Sequence, residues 1–362
     1  MPEKAAGSYR VLVINPGSTS TKFAVFDNEE CLFTKTVRHT GEELAACGSI
    51  LGQQELRLQA IMTKLTAVEL IPETLDAVAG RGGLVKPIDS GTYAINERML
   101  ADLRSASATV HASCLGAILA HIIAAKLSIP AFVVDPIVVD EMERTAKLTG
   151  MPGVERITTF HALNHKAIAK RLAAQIGRSY ENCRFIVAHL GGGITVGAHK
   201  YGRVVDVNDA LSGEGPFTPE RTGAIPLLPL VEMCFSGEYT KAEILRIITG
   251  EGGMKAYLGT NDLRTAQKMI NDGDAFAALV VDSMAYQVAK EIGSMAAVLE
   301  GRVDAILLTG GLAYSNRFTG QIKQRVDAMA PVYVLPGEDE LLALLQGTLR
   351  VLRGEEEAAV YV

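Results

Sequence analysis

Two stretches of the chain lie on one another without a gap: VLVINPGSTSTKFAVF at 11–26 and FIVAHLGGGITVGAHK at 185–200. Asn15 then falls opposite His189 and Gly17 opposite Gly191, an offset of 189 − 15 = 174 residues in a chain of 362. In both, an apolar strand ends in a polar residue, turns through glycine and returns as a strand. Repetition at half the chain length predicts an internal duplication with one tight hairpin per half. Two similar α/β halves make a cleft between them, and clefts between domains are favoured ligand sites.

The rest of the pattern is compatible with that reading. Strand-like segments at 10–15, 21–27 and 31–37 precede a helical stretch at 44–66. DAVAGRGG (76–83) reads as a buried strand ending in a glycine turn. Helical periodicity covers 96–105 and 113–127, and PAFVVDP (130–136) is another short buried strand. Met151, Pro152 and Gly153 mark a break near the middle. Strands recur at 184–190, 194–200 and 203–208, followed by helices at 226–248 and 275–299. DAILLTGG (304–311) is a strand opening onto two glycines, and the chain closes with a strand, a turn, an amphipathic helix and an acidic stretch expected to be solvated.

Charge and composition exclude several function classes. A net charge of −6, no Trp and 6% aromatic residues argue against an extended nucleic-acid footprint and base-stacking platforms. Any bound anion must be held by a few local cations. The five cysteines, Cys31, Cys47, Cys114, Cys183 and Cys234, are widely spaced with no CxxC. That pattern supports neither a disulfide framework nor a zinc knuckle and predicts buried free thiols in a reducing cytoplasm. The first ten residues lack an apolar run of signal-peptide length, and no run approaches the ~20 apolar residues of a membrane helix. A soluble, cytoplasmic protein is expected.

Several short stretches have residue types suited to anion chemistry. NPGSTSTK is not a GxxxxGK[ST] loop, because its second glycine is missing and a strand follows. Backbone N–H groups, hydroxyls and Lys22 can still hold phosphate in such a turn, and a plain polar turn accounts for the same residues. HLGGGITVG places three glycines in a row, which lets backbone approach a ligand closely; a structural turn is the alternative. Gly310 and Gly311 follow a strand at the expected start of a helix, where N–H groups meet anions or simply pack. His161 and His165 stand four apart in HALNHK; Ala162 follows the first, so the HExxH zinc pattern is missing. One imidazole can donate to developing charge, while a capping or packing role accounts for at least one of the two. Arg81, Arg221 and Arg264 sit beside turn residues, a placement suited to bidentate carboxylate or phosphate contact. Asp135 ends a buried strand, as a cap or a catalytic group.

Taken together and in order, VINPGSTSTK, HALNHK, HLGGGITVG, GEGPFTPERTGAIP and LTGGLAYSNRF resemble the acetate and butyrate kinase family nearly end to end. Pro16, Thr19, Thr21, Gly192 and Ile194 depart from acetate-type wording toward the butyrate-type branch, and the shorter length fits that branch. The resemblance implies an α/β fold of two duplicated actin-like (ribonuclease H-like) ATPase domains with a nucleotide cleft between them. It implies domains at 1–157 plus 342–362 and at 158–341, the C-terminal helix closing the first. It implies reversible transfer between ATP and a short-chain fatty acid with Mg²⁺, butyrate foremost and acetate, propionate or a branched acid as alternatives, in a homodimer or larger assembly. A chaperone-like or actin-like module whose ATP state gates a partner is the reading from another class. The carboxylate constellation of Arg81, Asp135, His161 and Arg221 is the feature that separates the two.

The same resemblance implies roles residue by residue. Asn15 falls on the position near phosphates and metal, and Ser18, Ser20 and Lys22 on the first phosphate hairpin. Arg81 falls on the carboxylate-holding arginine, in a GRGG context that lacks the fuller acetate-type wording. Asp135 matches the active-site aspartate, and His161 and Arg221 the pair that stabilises the phosphoryl group in flight. His189, Gly191, Gly192 and Gly193 match the second phosphate loop. Asp262 and Arg264 resemble a nucleotide-contacting D-x-R, and Gly310 and Gly311 the adenosine-binding turn. In PGEDEL the metal-linked acid is Glu340, with Glu338 the alternative.

Overall fold

The strands that open each half are buried along almost their whole length, and they are where the two sheets are built. The structure, a computed structural model, describes residues 7–68, 72–105 and 112–362. The chain divides into two compact units, Met1–Val139 with Asp339–Val362, and Asp140–Glu338.

In the first unit β1 (Arg10–Pro16), β2 (Ser20–Asp27) and β3 (Glu30–Arg38) form an antiparallel meander. β4 (Ala77–Gly80) adds parallel to β1, and β6 (Ala131–Val134) parallel to β4. β5 (Thr92–Ala94) joins β6 antiparallel and β12 (Ala359–Val360) lies beside β5, giving the order β12-β5-β6-β4-β1-β2-β3. The second unit repeats the core of this plan. β7 (Arg184–Leu190), β8 (Ile194–Lys200) and β9 (Arg203–Val207) are the meander. β10 (Ala305–Thr309) and β11 (Val332–Val334) add in parallel, giving the order β11-β10-β7-β8-β9. Five strands of the first sheet, β6-β4-β1-β2-β3, thus share one order and one set of directions with the five of the second.

The gapless superposition holds only up to the turns. Pro16 pairs with Thr21, leaving a four-residue turn, whereas Leu190 pairs with Ile194 across three residues. Beyond the turn the offset therefore drops by one, and Lys22 corresponds to Thr195. A β-bulge in each third strand bears this out: Leu32 is the extra residue opposite Val25 and Phe26, and Val205 the one opposite Ala198 and His199. One residue matters because it swaps the faces of every side chain that follows.

Each sheet is covered on both faces. Helix Cys114–Leu127 lies over β4, β1 and β6, and helix Glu340–Leu352 also packs on these strands. In the second unit, helix Ala162–Gln175 packs on β7 and β10, and helix Ala275–Val298 on β7 and β8. β1 is buried at every position because both faces are covered.

Several expectations are corrected. The unit boundary lies at Val139/Asp140 rather than after 157, because the intervening segment is bonded into the second unit. Lys166 Nζ reaches Glu141 at 2.6 Å, Glu143 N donates to Val205 O at 2.9 Å, and Arg156 pairs with Asp206 and Glu214. Residues 339–341 belong with the first unit. The single helix expected at 44–66 breaks at Gly48 (φ +69°) into Gly41–Ala46 and Gln54–Ala67. The one expected at 226–248 is two, Leu227–Phe235 and Lys241–Arg246. The acidic tail is only partly solvated: Glu356 bonds Arg350 at 2.7 Å, and β12 (Ala359–Val360) extends the first sheet beside β5. All five cysteines are free, but only Cys114 and Cys183 are buried, while Cys31 and Cys234 are exposed. Among the described residues no helix is long and apolar enough to cross a membrane.

Helix Cys114–Leu127 lies so close to β4 that a Cβ on Gly116 would stand 2.7 Å from Arg81 N and strike the Arg81 carbonyl. Gly116→Ala is therefore expected to destabilise the protein. Overpacking costs about 1–3 kcal/mol; here it meets backbone that cannot swing aside. It outweighs the roughly 1 kcal/mol by which Ala favours a helix. A urea midpoint at or above that of the unaltered chain would contradict this.

Candidate functional site

The β1–β2 hairpin shows its four hydroxyls to be unequal. Gly17 N donates to Ser20 O at 2.8 Å and closes the turn. Ser18 and Thr19 are exposed and Ser20 half-buried. Thr21 is fully buried and bonds His39 Nε2 at 2.9 Å. Asn15 and Lys22 are cross-strand partners, so their side chains share one face. Lys22 is exposed and has no carboxylate partner among the described residues.

Beneath the turn lies a residue that sequence reasoning missed. Arg57 is fully buried, and its guanidinium donates to Ser20 O (2.7 Å), Ser18 O (3.1 Å), Thr21 Oγ1 (3.0 Å) and Gln53 Oε1. No carboxylate neutralises it among the described residues, and burial lowers its pKa from the ordinary value. It braces the hairpin and leaves its positive charge there. Only its contact with Gln53, four residues earlier, is local enough to have a sequence signal.

Three predicted residues of the first unit meet. Glu340, in the first turn of its helix, accepts from Asn15 Nδ2 and forms an ion pair with Arg81 at 2.9 Å. Arg81 Nη1 also reaches Asn15 Oδ1 at 3.3 Å. Asp135 lies outside these contacts, at the end of β6. Its φ of +39° is a left-handed conformation uncommon for a side-chain-bearing residue. Its carboxylate accepts from Ser90 Oγ (2.6 Å) and Gly91 N (2.9 Å).

In the second unit the three glycines are explained by their neighbours. A Cβ on Gly193 would collide with Arg221 Nη1 and stand 3.3 Å from His161 Cε1. A Cβ on Gly192 would stand 3.1 Å from Glu220 Oε1, and one on Gly191 3.0 Å from His189 Nε2. None of the three has a positive φ, and the tightest approach is at Gly193, where a side chain would displace the Arg221 guanidinium. Arg221 donates to the carbonyls of Ala210 (2.9 Å) and Thr249 (3.4 Å) and forms no ion pair among the described residues. Burial lowers its pKa, opposed by Glu220 and Asp209.

His161 caps helix Ala162–Gln175 and stacks on His189, centroids 3.8 Å apart. His189 is buried. Its Nε2 is 3.1 Å from Glu338 Oε1, and its buried Nδ1 has no hydrogen-bond partner among the described residues. Glu338 and Glu340 thus go to His189 and Asn15, the two residues paired by the internal repeat. His161 Nδ1 is 2.9 Å from Thr195 Oγ1, which the sequence reading passed over. His165 is the packing histidine of the pair, fully buried beneath Thr195.

Asp262 and Arg264 line an open groove of about 1000 Å³ with Asn261, Gly311, Tyr314 and Asn316. The two form a surface ion pair at 3.1 Å, with Asp262 capping helix Leu263–Asn271. Gly310 has φ +89°, and a Cβ there would meet Leu190 O at 2.5 Å. Gly310 and Gly311 lead into a 3-10 turn, Gly311–Tyr314, not directly into the helix, which starts at Asn316.

No group of three or more His, Cys, Asp or Glu able to hold a metal is present among the described residues. Asn15 and Glu340 offer one amide and one carboxylate. That set suits a magnesium ion, which keeps waters and phosphate oxygens as ligands rather than taking an all-protein cage.

His165 and His199 have pKa values pushed well below the ordinary 6.5, chiefly by burial; neighbouring histidines and Lys166 add to it. Both rings stay neutral in the fold but take up protons once unfolded. The unfolded state therefore binds more protons, and stability falls as pH drops below about 6.5 toward the folded-state values. The expected slope approaches 2.7 kcal/mol per pH unit for the two groups, about 1.36 each. Unfolding free energies that stay flat as pH falls below 6.5 would contradict burial of neutral rings.

The acetokinase family model matches residues 145–329. Solved structures add likeness of fold. The acetate kinase of Porphyromonas gingivalis superposes with a TM-score of 0.79 at 21% identity, covering 95% of this chain and 100% of that one. A propionate kinase from Francisella tularensis gives 0.75 at 19%, covering 94% and 98%. The acetate kinase of Entamoeba histolytica gives 0.76 at 17%, covering 95% and 100%.

Proposed function

The chain belongs to the acetokinase family, and from that premise we propose that it is a short-chain fatty acid kinase, catalysing butyrate + ATP = butyryl phosphate + ADP. The observation that supports this best is the Arg221–His161 pair at Gly193, a half-buried cation with no ion-pair partner among the described residues, beside an imidazole. The preference for butyrate rests on the butyrate-type wording around Pro16, Thr19, Thr21, Gly192 and Ile194.

The acid needs no general base, since its carboxylate is ionised at neutral pH. One of its oxygens attacks the γ-phosphorus, a new P–O bond forms, and the bond to the β,γ-bridging oxygen breaks as ADP departs. Arg221 and His161 donate to the equatorial oxygens. Arg81 holds the acid, exchanging its ion pair with Glu340 for one with the substrate carboxylate. Asn15 and Glu340 would hold magnesium, which when bound would offset phosphate charge. Asp135, fixed by Ser90 and Gly91, orients the reacting groups. Ser18, Ser20 and Lys22 contact phosphates, and His189 with Gly191, Gly192 and Gly193 form a second phosphate loop. Asp262, Arg264, Gly310 and Gly311 receive the nucleoside in a groove of suitable size.

A homodimer is part of the proposal. Helix Leu227–Phe235 has no buried residue, and Leu227, Leu228 and Phe235 are 75%, 79% and 86% exposed. An apolar helix left uncovered marks an interaction surface. A reducing cytoplasm suits the five free thiols.

Arg221→Ala is expected to lower kcat by roughly 3–5 orders of magnitude, as loss of an arginine finger does. Acyl phosphate trapped as hydroxamate measures it, and unchanged turnover would remove Arg221 from the mechanism. Across straight and branched acids of two to six carbons, kcat/KM should peak at four, each methylene being worth about 10- to 200-fold. A peak at acetate or propionate would reassign the substrate. Light scattering should report twice the chain mass, and Leu228→Asp with Phe235→Asp should halve it; an unaltered chain that runs as a monomer would contradict the dimer.

A further inference from the structure

We propose that a buried hydrogen-bonded relay, Tyr180–His199–His165–Thr195, decides which ring nitrogen of His161 carries the proton, placing it on Nε2. The inference rests on the reading of His161 as a phosphoryl-stabilising donor, and it assigns positioning roles to four residues outside the reacting set.

The links are continuous. Tyr180 OH lies 2.7 Å from His199 Nδ1, and His199 Nε2 lies 3.2 Å from His165 Nδ1. His165 Nε2 is 2.9 Å from Thr195 Oγ1, which is 2.9 Å from His161 Nδ1. His165, Thr195 and His199 are fully buried, and Tyr180 is 4% exposed. Thr195, Gly197 and His199 alternate along β8, and a Cβ on Gly197 would stand 3.3 Å from His165 Nδ1. Glycine there gives the relay its room.

The polarity follows from counting protons. Burial keeps His165 and His199 neutral, so each ring has one N–H and one lone-pair nitrogen. The Thr195 hydroxyl has one proton and, among the described residues, only His161 and His165 as side-chain partners. Four links share four protons, one in each, because a buried link with none or two is costly. A direction set at one end therefore reaches the other.

At the Tyr180 end the direction is set by acidity. A phenol O–H is the stronger donor of the two, and a lone-pair imidazole nitrogen the stronger acceptor. Tyr180 donates to His199 Nδ1, and His199 Nε2–H donates to His165 Nδ1. His165 Nε2–H then donates to Thr195 Oγ1, and the Thr195 O–H to His161 Nδ1. His161 is left with its proton on Nε2, able to give a hydrogen bond to a phosphoryl oxygen without first becoming charged. Lys166 and Glu141, paired at 2.6 Å, are the ionic neighbours of the buried rings.

Nitrogen-15 NMR of histidine-labelled protein above neutral pH tests this directly. The His161 signals are assigned by their loss in His161→Gln. The relay requires a lone-pair-type shift at Nδ1 and a protonated-type shift at Nε2; the reverse pattern in the unaltered protein overturns it. Tyr180→Phe keeps the ring but removes the directing proton, and Thr195→Val cuts the chain at one link. In each, His161 should become a mixture of tautomers. With it, kcat should fall roughly tenfold or more, as when a catalytic imidazole takes the wrong tautomer, while KM for butyrate stays within about twofold. A His161 tautomer unmoved by both substitutions overturns the proposal. A tautomer that shifts while kcat holds upholds the relay and counts against the role of His161 in phosphoryl transfer.

Discussion

Arg221 is a half-buried cation whose guanidinium donates to two backbone carbonyls and, among the described residues, forms no ion pair with a carboxylate. Its neighbours are arranged around that imbalance. Gly193 gives up its side chain so that the guanidinium can lie against the turn. The Thr218 hydroxyl takes the Arg221 N–H at 3.0 Å and donates to Gly192 O at 2.7 Å, tying the arginine's loop to the glycine turn. A guanidinium partly withdrawn from water, with Glu220 and Asp209 nearby but not ion-paired to it, is free to take a partner of opposite sign. A transferring phosphoryl group is that partner in the proposed reaction. Arg57 repeats the device in the first unit, with a buried positive charge beneath the first hairpin.

Duplication supplied two hairpins, and they have diverged in how their polar residues are held. Asn15 and His189 occupy corresponding strand ends, and each is met by an acid from one short segment, Glu340 and Glu338 respectively. Past the turns, Lys22 corresponds to Thr195. In one unit that position carries an exposed cation suited to phosphate. In the other it carries a buried hydroxyl joined to two imidazoles. The same scaffold therefore serves charge on one side and proton placement on the other.

The hairpins were legible in the sequence because strand alternation, glycine and hydroxyls are local signals. Asn15, Arg81 and Glu340 were nameable by resemblance, and they do meet. Choosing between Glu338 and Glu340 was harder, since two acids two residues apart share one local pattern. The unit boundary between them, at Glu338/Asp339, is what sends them to different partners. Arg57, Thr195, His199 and Tyr180 could not be read out in advance. Their decisive contacts join residues 19 to 39 positions apart, a separation with no periodic signature. The one-residue difference in turn length was likewise hidden, because the gapless superposition looks equally good on apolar character alone.

The central claim is that ATP is spent only by transfer to an acid. Purified protein with ATP, magnesium and butyrate should release ADP and form hydroxamate-trappable acyl phosphate in equal amounts, with almost no ADP when the acid is left out. ADP release at the same rate without any short-chain acid, and no acyl phosphate, would contradict the account and point instead to an ATPase that gates a partner.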